Sequence, residues 1–213
     1  MITLHHLNKS RSKRIIWLLE ELRVPYQVKA YQRVAETNLA PAELKAIHPL
    51  GKSPVIEEND MVLAESGAIT EYLADKYVAD KSAANSLVPA KDSAEYPAYL
   101  QWLHFAESSA ALPLLLHYFL KIDGSDTRFL DGYSKQELAL ILGYLNDHLT
   151  NNKWLVGEQF TAADILLSFI IEMAGALGLL NDYPKLMQYL AALQARPAAQ
   201  KAAQLEAEYD KTS

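Results

Sequence analysis

Ser53-Pro54, with Val55-Ile56-Glu57 directly after it and Met61-Val62-Leu63 a few residues on, is the feature that most narrows what this chain can become. Proline has no N–H to give to a ladder, so Pro54 belongs at the start or edge of a strand. An X-Pro bond in that place is a candidate for the cis form. The residues that follow read as two strands flanking Glu58-Asn59-Asp60, an antiparallel hairpin with an irregular turn. Glu65-Ser66-Gly67-Ala68-Ile69 then marks the end of the second strand and the start of a helix. A helix start offers N–H groups without intrahelical partners and the positive end of the dipole, and both favour an anion. A ligand with an extended backbone and a carboxylate can pair with the chain beside Pro54 and set its carboxylate at Ser66.

The 213 residues include no cysteine. That excludes disulfides, thiolate zinc sites, a CxxC redox centre and a cysteine nucleophile, so any thiol must come from a ligand. The net charge of −6 lacks the basic signature of a nucleic-acid binder. Apolar residues at 50% and charged residues at 22% fit a soluble globular protein, and the length suits one large domain or two compact ones. No run approaches the roughly 18 apolar residues needed to span a bilayer. The opening residues, Met1-Ile2-Thr3-Leu4-His5-His6, read as a strand rather than a signal segment. No membrane association and a cytoplasmic location are therefore expected.

The first part of the chain alternates strand and helix. Residues 2–7 form a strand, and residues 12–22 a helix with Ile15, Leu18, Leu19 and Leu22 on one face. Residues 25–31 alternate as a second strand, and Pro41 opens a short helix. After the hairpin, residues 66–77 form a helix with Ile69, Tyr72, Leu73 and Tyr77 packed. The order β-α-β-α-β-β-α is that of a thioredoxin-like domain. Residues 80–86 read as a polar linker, and beyond them every strong periodicity is helical. Leu100, Leu103 and His104 share a face of a long segment that Pro113 should kink or end. Leu138, Ile141, Leu142, Leu145 and Leu149 define one amphipathic helix, and Leu186, Tyr189, Leu190 and Leu193 another. Thr161-Ala162-Ala163-Asp164 is a capping-box variant that starts an apolar, buried helix. Replacing Asp164 with Ala should cost about 0.5–2 kcal/mol as a lost cap. Gly175 and Gly178 read as close packing or a C-cap. The expected fold is α+β in two domains: a thioredoxin-like α/β domain over 1–80 and an all-α helical domain over 90–213.

Ser53-Pro54 with Glu65-Ser66 resembles the glutathione site of the cytosolic glutathione transferase superfamily, and the parts of that family follow in order along the chain to about Pro197. The resemblance implies a transferase that ionises the thiol of glutathione for attack on small hydrophobic electrophiles, as a homodimer with a role in detoxification. Glutathione is then a co-substrate, with no cofactor and no metal. In this superfamily the donor to the thiol lies just after the first strand, where Asn8, Ser10 and Ser12 are available and neither Tyr nor Cys occurs. Serine-type members carry a Ser four residues before an Arg leading into an apolar helix. Ser10 and Arg14 match that spacing, so Ser10 is the preferred catalytic residue, with Ser12 and Asn8 as alternatives. A serine here also serves as a helix cap, and the two roles are compatible.

The resemblance assigns Glu65 to the ammonium and Ser66 to the carboxylate of the γ-glutamyl end. It assigns Ser53, before Pro54, to backbone pairing with the cysteinyl part, and Lys52 to the glycine carboxylate, with His48 a weaker alternative. Arg14 is either structural or ligand-facing. An electrophile site is implied from the first loop and the long helix of the second domain, with Trp102, His104, Phe105 and Tyr118 as lining. The rival readings are another glutathione-dependent activity (peroxidase, isomerase or dehalogenase) and a non-catalytic binding module. His5 and His6 are strand neighbours pointing to opposite faces and cannot share a metal. His104, His117 and His148 lack ligand spacing.

Overall fold

The computed structural model describes residues 1–78, 86–124 and 127–210. The chain divides into two compact units, one formed by the chain up to residue 79 together with everything from residue 194 onward, the other by the residues between. The linker expected at 80–86 lies, but for Ser86, outside the described residues. Ser86 itself is buried, and its hydroxyl donates to the Val88 carbonyl. Among the described residues no helix is long and apolar enough to cross a membrane.

The first unit is a thioredoxin-like domain built on a four-stranded sheet. Its elements are β1 (Ile2–Leu7), α1 (Ser12–Leu22), β2 (Tyr26–Tyr31), α2 (Glu43–Ile47), β3 (Val55–Glu58), β4 (Met61–Ala64) and α3 (Ser66–Tyr77). The sheet order is β2-β1-β3-β4, with β1 parallel to β2 and antiparallel to β3. The hairpin is tighter than the sequence suggests. Glu58 pairs with Met61, and Asn59 takes a left-handed φ of 54° that its short polar side chain tolerates, so two residues close the turn. Glu58 is buried and accepts hydrogen bonds from Tyr72 Oη, Lys76 Nζ and Tyr77 Oη on α3. Burial alone would raise its carboxyl, but these donors hold it down to about 2. The polar ends of Tyr72 and Tyr77 thus tie α3 to the end of β3.

Helix α1 is buried over Ser12 and from Arg14 to Leu19. It packs on β1, on α3 and on the last helix, α9 (Pro197–Tyr209). The final helix belongs to the first unit rather than to a helical domain running to residue 213. Buried Ala199 and Ala202 keep the packed face of α9 narrow, and the Arg196 guanidinium grips the Glu21 carboxylate with two hydrogen bonds of 2.7 and 3.0 Å. Gln32 Nε2 adds a bond to the Tyr209 carbonyl.

The second unit is all-helical: α4 (Tyr96–Glu107), α5 (Ala111–Asp123), α6 (Leu130–Asn151), α7 (Ala162–Ala176) and α8 (Pro184–Gln194). The break between α4 and α5 falls at 108–110, ahead of Pro113, which sits in the first turn of α5 where a missing N–H costs nothing. The packed face of α4 is Tyr99, Trp102, Leu103 and Ala106, so His104 points outward rather than sharing the buried face. Helix α6 buries the five apolar residues expected of it. At the end of α7, an added Cβ on Gly175 would lie 2.9 Å from Leu190 Cδ2, while Gly178 has φ 73°; close packing and a left-handed stop both occur.

Helix α7 is buried along most of its length and begins at the expected capping box. Asp164 does more than cap. Its carboxylate accepts from the Thr161 N–H (2.8 Å) and hydroxyl (3.1 Å), the Leu155 N–H (2.9 Å) and the Tyr189 hydroxyl on α8 (2.8 Å). Complete burial pushes its carboxyl up to about 6 against the pull of these donors. Asp164→Ala would orphan four buried donors, so its cost should reach about 3–5 kcal/mol rather than that of a cap alone. Denaturant unfolding of the two proteins measures the difference; a loss below about 1 kcal/mol would mean that the carboxylate is only a cap.

Candidate active site

The first loop is shaped by the residue it surrounds. Lys9 takes a left-handed φ of 50° between β1 and the start of α1. Arg33 clamps the turn, donating to the carbonyls of Asn8 (3.2 Å), Lys9 (3.2 Å) and Asn38 (2.9 Å). The Asn8 side chain accepts the Arg33 backbone N–H at 3.1 Å. Asn8 thus holds the loop through its two oxygens, and its Nδ2 amide takes no part in these bonds.

Ser10 and Ser12 stand in line. Ser10 is half-buried, and its hydroxyl lies 2.7 Å from that of Ser12 and accepts the Ser12 N–H at 3.2 Å. It therefore satisfies one N–H of the first turn of α1 while facing the positive end of that helix. Ser12 is fully buried behind it, and its hydroxyl lies 2.7 Å from Nδ1 of buried His6. Burial drives the His6 ring down to about 4 against the opposing charge of Asp210, so the ring is neutral near pH 7. His5, on the other face of β1, is held between Tyr31 Oη (2.8 Å) and Glu57 Oε2 (3.0 Å). The two histidines diverge, as their neighbouring strand positions require.

The Ser53–Pro54 bond is cis. Pro54 cannot continue the β1–β3 ladder beyond the His5–Val55 pair, and the Ser53 side chain takes over. Its hydroxyl donates to the His5 carbonyl (2.8 Å) and accepts the Leu7 N–H (3.1 Å). The side chain at 53 thus matters, although the expected role used only its backbone. Lys52 is exposed in the preceding loop, and His48 stabilises that loop by accepting the Leu50 N–H at 3.4 Å and, through its carbonyl, the Gly51 N–H at 2.8 Å.

Helix α3 supplies the other half. Ser66 is buried at its first position, and Arg14 Nη2 donates to Ser66 Oγ at 2.9 Å. Arg14 thus joins the first turn of α1 to the first turn of α3. The N–H groups of Gly67 and Ala68 have no acceptor within the helix, so a guanidinium and two helix N-termini converge on one region. Glu65, exposed just before Ser66, holds φ 71° and ψ 116°, a conformation that costs a non-glycine residue roughly 1–3 kcal/mol. The arrangement can hold a carboxylate at Ser66 and offers a hydroxyl, at Ser10, to a second anionic group.

Of the four residues expected at an electrophile site, Trp102 and Phe105 pack on each other, while His104 and Tyr118 lie apart from that cluster in exposure or helix. Trp102, only 2% exposed, is a core residue stacked on Tyr144 (5.5 Å) and against His148 (4.7 Å). Phe105 joins that cluster edge-on at 5.3 Å. His104 is exposed, and half-buried Tyr118 lies on α5 beside Phe119.

Family models for the glutathione S-transferase N-terminal and C-terminal domains match residues 1–75 and 107–197. The chain belongs to the glutathione S-transferase family. It is 36% identical to glutathione S-transferase 3 of Schizosaccharomyces pombe, over 96% of this chain and 87% of that one. Among solved structures, a glutathione S-transferase from Actinobacillus pleuropneumoniae is 37% identical with a TM-score of 0.84, covering 100% of this chain and 97% of the other. A family member from Pseudomonas fluorescens, with two glutathione molecules bound, is 28% identical with a TM-score of 0.78, over 94% of this chain and 91% of that one.

If Glu65 is held in a strained conformation, Glu65→Gly should keep or raise the melting temperature of this transferase-family chain, a gain of up to about 1 kcal/mol. Thermal unfolding checks this, and a clear drop would show that no strain is stored there.

Proposed function

We propose that the protein is a serine-type glutathione transferase in which the Ser10 hydroxyl donates to the thiolate of bound glutathione. The observation that carries this reading is the half-buried Ser10 hydroxyl at the positive end of α1, with buried Ser12 behind it. A free thiol titrates near 8.5, and lowering that by about two pH units requires roughly 2.7 kcal/mol of selective stabilisation of the anion. A hydroxyl donor and the positive end of a helix both favour the anion over the neutral thiol, and these are the two groups that supply that stabilisation. The thiol proton passes to water, and the thiolate forms a C–S bond with the electrophilic carbon of a small hydrophobic substrate while the bond from that carbon to its leaving group breaks and the leaving group departs with the bonding pair.

In this reading Ser66 and the first turn of α3 hold the γ-glutamyl carboxylate, and Arg14 fixes the Ser66 hydroxyl. Glu65 meets the ammonium, its strained backbone aiming the carboxylate, and Ser53 with Pro54 aligns the cysteinyl backbone. Lys52 meets the glycine carboxylate. The enzyme works as a cytoplasmic homodimer in detoxification, by analogy with its family.

A second reading, glutathione-dependent reduction of a peroxide, is favoured by one observation: the P. fluorescens relative holds two glutathione molecules. That is the stoichiometry of a reaction in which two thiols are oxidised to a disulfide while a peroxide is reduced to alcohol and water. Product analysis separates the two, since conjugation consumes one glutathione per electrophile and leaves no disulfide.

Ser10→Ala should lower kcat by about 10²-fold with the glutathione dissociation constant little changed, as expected for loss of one donor to a developing anion. Steady-state kinetics with a model electrophile, beside calorimetric titration of glutathione, provides the check. Unchanged turnover with binding intact would remove Ser10 from the mechanism.

A further inference from the structure

The buried pair behind Ser10 has no place in the function described above, yet its geometry constrains where every proton can be. Ser10 Oγ and Ser12 Oγ are 2.7 Å apart, and so are Ser12 Oγ and His6 Nδ1. Each contact needs one proton between its two atoms; otherwise two lone pairs would face each other. A hydroxyl has a single proton to give. If Ser10 gives its own to the sulfur of glutathione, the Ser10–Ser12 contact must be filled by the proton of Ser12. The Ser12–His6 contact can then be filled only from the ring, by an Nδ1–H. Ser12 Oγ has one further neighbour, the Leu7 carbonyl at 3.4 Å, itself an acceptor that supplies no proton.

We infer that His6 and Ser12 are positioning residues: His6, as its Nδ1–H tautomer, donates to Ser12, Ser12 donates to Ser10, and Ser10 is thereby left to donate outward to the glutathione thiolate. The inference rests on the reading of Ser10 as the thiol's donor and adds what directs that donor. Nothing is transferred along the chain; it is an ordered row of hydrogen bonds, in which each donor polarises the next.

Two further observations agree with this order. Nε2 of His6 has no hydrogen-bond partner among the described residues. In the opposite order, with Ser12 donating to Nδ1, the ring proton would sit on Nε2 as a buried N–H without an acceptor, which native structures avoid more strictly than an unused acceptor. The ring is also kept neutral by its surroundings. It lies between α1 and the end of α9, where the Tyr209 ring is 5.8 Å away, and burial outweighs the charge of Asp210. A cationic ring would leave a proton on each nitrogen and a second buried donor to satisfy.

The test has two parts on the intact protein saturated with glutathione. Nitrogen-15 NMR of labelled histidine should show His6 as the Nδ1–H tautomer. A ring protonated on Nε2 alone overturns the inference. The pKa of bound glutathione, followed by its ultraviolet thiolate band, should rise by about 0.5–1 pH unit in Ser12→Ala, a shift in the range expected for a lost cooperative neighbour, with the dissociation constant nearly constant. His6→Phe should shift it likewise. His6→Asn, which keeps an N–H near the same position, should restore the wild-type value. If Ser10→Ala raises this pKa while Ser12→Ala and His6→Phe leave it alone, the relay is wrong and the transferase reading stands. If Ser10→Ala leaves it unchanged as well, both fall.

Discussion

The candidate site depends on the burial of α1. A helix buried at Ser12 and from Arg14 to Leu19 cannot shift along its axis or rotate without opening the core, so the half-buried residues that lead into its N-terminus are held in place. Ile15, Ile16, Leu18 and Leu19 are fully buried, each contributing about 1.5–3 kcal/mol by leaving water. Sheet and α3 cover part of this helix, and α9 supplies further cover, returning from the far end of the chain. Arg196 fastens one end of that return to Glu21, and Gln32 fastens the other at Tyr209. Without α9, the back of His6 would be open to water and the row of hydroxyls in front of it would lose its dry support.

From that fixed tip the chemistry follows by short steps. Arg33 holds the loop that brings β1 into α1, and so sets where Ser10 stands. Arg14, one turn into the same helix, reaches Ser66 at the head of α3. The Ser53 hydroxyl extends the sheet past a proline that could not. These contacts tie the first loop, the loop before β3 and the start of α3 to β1 and α1, so the groups that would grip a peptide-like ligand share one frame. The family to which the chain belongs accounts for why that frame would be kept in a protein with no thiol of its own.

Most of the scaffold was legible in the sequence because it obeys local rules. Alternation marks β2, helical spacing marks α1 and α6, and Thr161 with Asp164 marks the start of α7. The cis form at Ser53–Pro54 was likewise signalled by chemistry alone. What escaped depends on contacts between distant parts of the chain. No pattern in residues 197–209 says that they pack on α1, and none says that Tyr189 will reach Asp164. His6 looked like one of two strand histidines, and only the fold shows which faces α1. Ser53 was valued for its backbone because side-chain partners 46 and 48 residues away leave no trace in spacing. The stacking of Trp102 on Tyr144 is equally silent in the sequence, since an aromatic residue on a helix looks alike whatever it packs against.

The central claim is spatial: the sulfur of glutathione meets Ser10 while its γ-glutamyl carboxylate meets Ser66. A crystal structure of the protein with glutathione tests it most directly. The account predicts sulfur within hydrogen-bond distance of Ser10 Oγ, with the carboxylate on the Ser66 hydroxyl and the first-turn N–H groups of α3. Sulfur resting against Asn8, or a carboxylate bound away from Ser66, would contradict it.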